Sequence, residues 1–280
     1  AVRRTGALPL ALEEVLAQQS GWVALDQPYL NQGFQQDVYW LRATLRNSGA
    51  APVRGLLDIG YGLLDDIRLT VIDLGSGARS DFVVGDKQEY SRRPVDYPNF
   101  AFPMVFEPGT DYRLVLRIET SSSMQVPLVL WDTVHFAEVR YREAIFFGLL
   151  IGMILIMACY NLFLFIALKD RSYVYFAACL TGYVLVEMIL SSVSYAYLWP
   201  TQVDWNDKAL VISANLALAG LARFSVNFLN LRENLGSFRI LLDLETALCL
   251  LLAAMAFVFP YQIMIMVTAV NVVAVSLTGY

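Results

Sequence analysis

Two groups of side chains in the first half of the chain have the chemistry of a polar ligand site. Along DVYWLRATLRN (37–47), Trp40, Arg42 and Arg46 fall on even positions, while Tyr39, Leu41, Ala43 and Leu45 take the odd ones. Successive strand side chains point to opposite faces, so the first three share the face turned away from an apolar core. The second group, EYSRRPVDYPNF (89–100), supplies Tyr90, Arg92, Arg93, Tyr97 and Asn99. Aromatic rings cover sugar faces while Arg and Asn reach hydroxyls, a combination that suits a carbohydrate-like ligand. The same residues would equally serve to cover a sheet or pack on the rest of the protein.

Asp58, Asp65 and Asp66 offer oxygens to a hard cation such as calcium, but without the spacing of an EF-hand. Asp65 and Asp66 are neighbours and point opposite ways on a strand, which does not make an acid–base pair. His135 is the sole histidine, which excludes a multi-histidine metal site, and it reads as a packing partner of Trp131. No nucleophile elbow, P-loop, CxxC, HExxH or dinucleotide fingerprint occurs. The chain therefore reads as no enzyme, and calcium is the one cofactor its residues suggest.

The second half carries its polar residues in apolar surroundings: Asn161, Glu187, Asn215, Arg223 and Asn227. Charges and amides at membrane depth face other helices and need partners. Glu187 sits about 21 Å from the inner end of its segment and Arg223 about 12 Å from its own, at ~1.5 Å per residue. A pair between them requires both side chains to stretch across the remaining ~9 Å. Otherwise each is an interhelical contact, or Arg223 snorkels inward. Asn161 would tie its helix to a neighbour and could relay a shift of that helix.

The elements that position these residues divide at about residue 143. Residues 1–143 hold 14 of the 20 Lys and Arg and 18 of the 25 Asp and Glu. A charged half before a charge-poor one predicts a water-soluble domain joined to a membrane domain. In the first, a short helix at Leu12–Gln18 precedes about eight strands separated by turns such as DLGSG and EPGTD. That profile is an all-β sandwich or jelly roll. In the second, apolar runs at 144–168, 173–197, 208–231, 240–259 and 261–280 predict membrane helices.

Lys169 and Arg171, then Arg232 and Arg239, lie in alternate loops, which puts those loops in the cytoplasm and residues 1–143 outside. Arg140 and Arg142 oppose that orientation. Tyr173, Tyr195, Tyr197, Trp199 and Trp205 fit interfacial belts. The last run has no charged flank, so the chain reads as a piece of a longer protein, with any signal peptide already removed.

Composition bounds the partners. A net charge of −5 without a basic cluster excludes nucleic acid. All three cysteines, Cys159, Cys179 and Cys249, lie in the apolar half, so no disulfide supports the soluble one. That fits a periplasmic domain with a core of its own.

The order of these parts resembles the bacterial seven-transmembrane receptors with diverse intracellular signalling modules. NQG (31–33), VYWLRATLRN (38–47), LLDDIRLTVID (63–73) and the stretch from Arg92 to Thr120 resemble that family's type-2 extracellular domain. GLLIGMILIMACYNLFLF (148–165) and KDRSYVYFAACLTGY (169–183) resemble its membrane domain, and Asn161 falls in the Tyr-Asn of its first helix. The resemblance implies a jelly-roll fold similar to carbohydrate-binding modules, seven membrane helices of which this chain holds about five, and an intracellular kinase or cyclic-dinucleotide output.

The expectation is a multi-pass receptor of the bacterial inner membrane with its N-terminal domain in the periplasm. Its partners would be the bilayer, a carbohydrate-like ligand, and a second copy or other envelope and signalling proteins. A calcium-responsive sensor and an envelope-protein interaction module without a small ligand are the alternatives. A transporter would need broken helices around a midplane site, and Gly148, Gly152, Gly182 and Gly220 are too scattered to make one.

Overall fold

The computed structural model describes residues 1–5, 10–18, 20–25, 27, 29–34, 37–230 and 236–278. Arg232 lies outside them. The chain forms two compact units, residues 1–140 with 191–203, and residues 141–190 with 204–280.

The first unit is a sandwich. Its strands among the described residues are β1 (Val2–Arg4), β2 (Leu30–Phe34), β3 (Tyr39–Arg46), β4 (Val53–Ile59), β5 (Asp66–Asp73), β6 (Arg79–Val84), β7 (Phe100–Phe106), β8 (Asp111–Glu119), β9 (Ser123–Val126) and β10 (Leu128–Asp132). One sheet runs β1-β3-β8-β5-β6, a second β10-β4-β7, and β2 pairs with β9. Every pairing is antiparallel. Period-2 alternation fills the space between the sheets. Leu41, Ile67, Leu69, Leu116 and Ile118 of the five-stranded sheet join Leu57, Ile59, Phe100, Phe102 and Met104 of the three-stranded one in a single cluster. Each such side chain contributes about 1.5–3 kcal/mol by leaving water. Pro103 cannot donate to a ladder and sits on β7, an edge of its sheet. The β5–β6 turn is held by Asp73, whose Oδ1 accepts the N–H groups of Gly75 (2.7 Å) and Ser76 (3.1 Å). Gly77 follows at φ 75°.

The outer face of the five-stranded sheet is covered rather than bare. The short helix α1 (Leu12–Ala17) packs Val15 against Trp40, Val38 and Val115 as a second cluster. Trp40, expected on an open face, is therefore buried.

The second unit is helical. Its elements are α2 (Thr133–Leu168, whose first residues belong to the sandwich unit), α3 (Arg171–Leu190), α5 (Val203–Phe228), α6 (Gly236–Met255) and α7 (Tyr261–Thr278). A five-residue helix α4 (Val193–Tyr197) belongs with the sandwich. Among the described residues three helices, α2, α3 and α5, are long and apolar enough to cross a membrane. The run expected over 173–197 stops as a helix at Leu190, because Ser192 turns left-handed at φ 59°. The run expected over 240–259 begins at Gly236 and carries Arg239, Asp243 and Glu245. α3 and α5 meet through reciprocal glycines. A Cβ on Gly182 would stand 2.9 Å from the Ser213 carbonyl, and one on Gly220 2.8 Å from the Cys179 nitrogen. These two positions, scattered in sequence, form one close helix crossing.

Candidate functional site

The segment Glu89–Phe100 gathers most of the second predicted group. Its prolines and the 3-10 turn Tyr90–Arg92 keep it out of the sheets until Phe100, where β7 begins. Arg93 is buried to 8% exposure. Its Nη1 donates to the carbonyls of Tyr97 (3.3 Å), Pro98 and Asn99 (3.1 Å). Its Nε and Nη2 have no hydrogen-bond partner among the described residues. Aromatic faces take their place: the guanidinium lies 4.8 Å from the Tyr90 ring centroid, 4.5 Å from Phe100 and 5.7 Å from Tyr195. Burial pushes the Arg93 pKa down to about 10, against the opposing pull of Tyr90, Asp86 and Tyr195. It stays a cation at neutral pH, so the cage holds a desolvated charge. Burial likewise raises the Tyr90 phenol, helped by its hydrogen bond to Asp96 (2.9 Å).

Tyr195 enters this cage from far along the chain. It belongs to residues 191–203, which connect α3 to α5 and fold as part of the sandwich unit. Its hydroxyl donates to the Gln88 carbonyl at 2.6 Å, and the Tyr90 N–H donates to the Pro200 carbonyl at 3.2 Å. The rings of Tyr90 and Tyr195 meet edge to face at 6.2 Å. Gly62 makes room for this link: a Cβ there would fall 1.9 Å from Ser192 Oγ. Residues 191–197 thus leave the membrane run in which the hydropathy placed them. Tyr195 meets a ring, a carbonyl and a cation of the sandwich unit.

A second caged arginine sits beside the first. Asp132 Oδ1 caps α2 by accepting the Val134 and His135 N–H groups at 2.9 and 3.2 Å. Two turns on, Arg140 lies 3.4 Å from the buried carboxylate of Asp58, which also accepts from Trp131 Nε1 at 3.3 Å. The Arg140 guanidinium covers Tyr97 (5.6 Å), Trp131 (5.4 Å) and Phe136 (5.5 Å). Tyr97 links the cages, since it packs on Phe136 and accepts a hydrogen bond from Asn99 Nδ2 at 3.3 Å. Arg140, the residue that opposed the orientation read from the loops, is committed to a buried acid in the sandwich unit. His135 packs on the Trp131 ring at 5.5 Å and pairs with Glu138 at 3.8 Å.

The other expected site residues do not converge. Arg42 covers the Trp22 ring at 4.4 Å, and Arg46 pairs loosely with Asp111 at 3.8 Å. Arg92 is exposed on the 3-10 turn. The three aspartates do not gather into one group among the described residues. Asp58 answers Arg140 and Trp131, Asp65 accepts from Thr120 and the Ser121 N–H, and Asp66 pairs with Arg68 and Arg117. No group of three or more His, Cys, Asp or Glu that could hold a metal occurs among the described residues. Trp40 lines a cavity of about 600 Å³ under the start of α1.

In the helical unit Arg223 pairs with Asp243, and Arg239 reaches the same carboxylate at 3.3 Å. Glu187 accepts from the Tyr183 hydroxyl, four residues back on its own helix. Asn161 donates to the Met157 carbonyl of its own helix at 2.8 Å, so this bond does not tie α2 to a neighbour. The interhelical amides are others: Asn215 Nδ2 donates to Thr268 Oγ1 at 3.0 Å, and Asn271 Nδ2 to Glu245 at 2.8 Å. Asp243 and Glu245 were passed over because their segment read as uniformly apolar. Three charges within seven residues were the available signal.

A family model described as 7TMR-DISM extracellular 2 matches residues 7–132, and one described as 7TM diverse intracellular signalling matches residues 143–280. No curated protein matches the chain.

Proposed function

Because the chain belongs to the seven-transmembrane receptors with diverse intracellular signalling modules, it is a membrane receptor with an outer sensor domain and a signalling role, and we propose what that domain reads and how the reading leaves it. The ligand is carbohydrate-like, and the receptor is a multi-pass protein of the inner membrane that drives an intracellular output module. Binding redistributes two arrangements of the sandwich, and the helices follow.

One observation carries this reading: residues 191–203 fold with the sandwich. The chain therefore passes between its two units three times, after Arg140, Leu190 and Val203. A rearrangement of the sandwich is imposed through covalent bonds on α2, α3 and α5 together. The caged Arg93 holds the link between α3 and α5, and the caged Arg140 holds the start of α2. Both grip the segment Arg93–Phe100, so a shift of that segment reaches all three helices.

The test uses the full chain in lipid nanodiscs. A glycan panel is screened for binding, and amide hydrogen exchange is followed at Ala196 and Leu198, whose N–H groups bond to Ser192 and Ser194. A bound glycan is expected to change exchange there. A glycan that binds while those amides exchange as before would refute the coupling, and a panel without binders would refute the ligand class.

A further inference from the structure

The cavity under α1 is built on two transverse rows of the five-stranded sheet. Register places Trp40 opposite Arg117, Arg117 opposite Arg68, and Arg68 opposite Val83. One row thus runs from an indole through two guanidinium groups to an aliphatic side chain. In the next row Thr70 stands opposite Asp81 and donates to it at 2.5 Å. Leu10 and Leu12 form one wall, Arg79 another, and the half-open cavity between them has a volume of about 600 Å³. That volume lies in the range of small-ligand sites, which are mostly apolar with a few convergent polar groups.

The polar groups have a sign. Arg68, Arg79 and Arg117 line the cavity against one lining carboxylate, Asp81. Asp66 and Glu119, which bind Arg117 at 2.7 Å each, stand outside the lining. Arg68 is bonded to Asp66 through Nε at 2.9 Å, which leaves its Nη donors for a ligand. Arg79 spends Nε on Asp81 at 2.8 Å and meets Glu13 of α1 at 3.5 Å across the exposed rim. A guanidinium fork matches a carboxylate in two parallel hydrogen bonds. Trp40 adds an aromatic wall whose Nε1 has no partner among the described residues.

We propose that this cavity is the ligand site and that it takes a carboxylate-bearing sugar of the uronate class. The inference rests on the carbohydrate reading above and assigns it a place and a charge. The carboxylate meets Arg68 and Arg79, the ring lies in the trough between Trp40 and the leucines of α1, and hydroxyls reach Thr70 and Asp81. Glu13 is the natural competitor for Arg79, so the ligand frees α1 from the rim as it binds.

The experiment titrates the full chain in nanodiscs with digalacturonate and with its neutral counterpart, digalactose. Arg68→Gln with Arg79→Gln is the site variant. Both side chains are substantially exposed, so folding should survive, which urea unfolding checks. Arg92→Gln is the control. Digalacturonate is expected to bind at least ~10-fold more tightly than digalactose, and the double variant to lose that advantage. Equal binding of the two sugars, undiminished digalacturonate binding by the double variant, or displacement by acetate at matching concentration would overturn the assignment and leave the carbohydrate reading standing. No binding of either sugar, or of any other glycan, would overturn both.

Discussion

Replacing Arg140 by Met should destabilise the receptor far more than an ordinary surface substitution. The pair it forms with Asp58 spans 3.4 Å, with side-chain exposures of 21% and 3%. Coulomb's law at an effective dielectric of ~20 gives about 5 kcal/mol of attraction at that distance. Desolvation of the two groups offsets part of it. Removing the arginine alone leaves the carboxylate buried with its cation gone, a loss of about 3–5 kcal/mol. The Trp131 hydrogen bond remains, so the lower end, ~3 kcal/mol, is expected. Asp58→Asn removes the charge while the amide oxygen still accepts from Trp131. The double variant Asp58→Asn/Arg140→Met should therefore be more stable than Arg140→Met alone, by about 1–2 kcal/mol. Urea unfolding of the full chain in nanodiscs, followed by exchange of the β4 amides, measures each corner of the cycle. Costs of the single changes that simply add, or an Arg140→Met cost under ~0.5 kcal/mol, would show that the buried pair does not hold the start of α2.

Gly62→Ala should push residues 191–203 off the sandwich, since the new methyl falls 1.9 Å from Ser192 Oγ and 2.8 Å from Asn99 Oδ1; a cost of ~1–3 kcal/mol is expected, read as faster proteolysis of the link. Gly220→Val should separate α3 from α5, because even a Cβ would stand 2.8 Å from the Cys179 nitrogen; crosslinking between cysteines engineered along the two helices should fall, whereas Gly148→Val, with nothing within 4 Å, should leave it unchanged. The Asp73 carboxyl is held below the usual carboxylate range by the N–H of Ser76 first, then its hydroxyl and the Gly75 N–H. A depressed folded pKa contributes stability that is present above the unfolded value, about 3.9, and is lost as pH falls through the folded one. The protection of the Gly75 and Ser76 amides, measured relative to their intrinsic exchange rates, should therefore fall below pH ~4, and Asp73→Asn should remove that pH dependence.

Much of the fold was legible locally. In β3 the alternation that put Tyr39, Leu41 and Leu45 on one face is the alternation the core uses. The even face was also read as one surface, but not as covered. Nothing near Trp40 in sequence says that Val15 of α1 will lie on it. The candidate site was legible as composition and not as geometry. Tyr90, Arg93, Tyr97 and Asn99 do come together, yet around two arginine cages completed by Tyr195 and Arg140. The three cavity arginines were not singled out, because Arg68, Arg79 and Arg117 converge only when β5, β6 and β8 lie side by side.

The partition into a charged, strand-forming half and an apolar, helix-forming half follows from local composition and period. Solvent preference and side-chain period are properties of short windows, and they survive any arrangement of the rest. Tertiary structure alone decided who answers whom. Tyr195 meets Gln88 across 107 residues, Trp131 meets Asp58 across 73, and Arg223 meets Asp243 across 20. A buried charge or hydroxyl is stabilised by whichever partner lies within about 3–4 Å. That distance is fixed by how elements pack, and so hydropathy could assign residues 191–197 to lipid while two tyrosines, an arginine and a glycine without a side chain drew them into the sandwich.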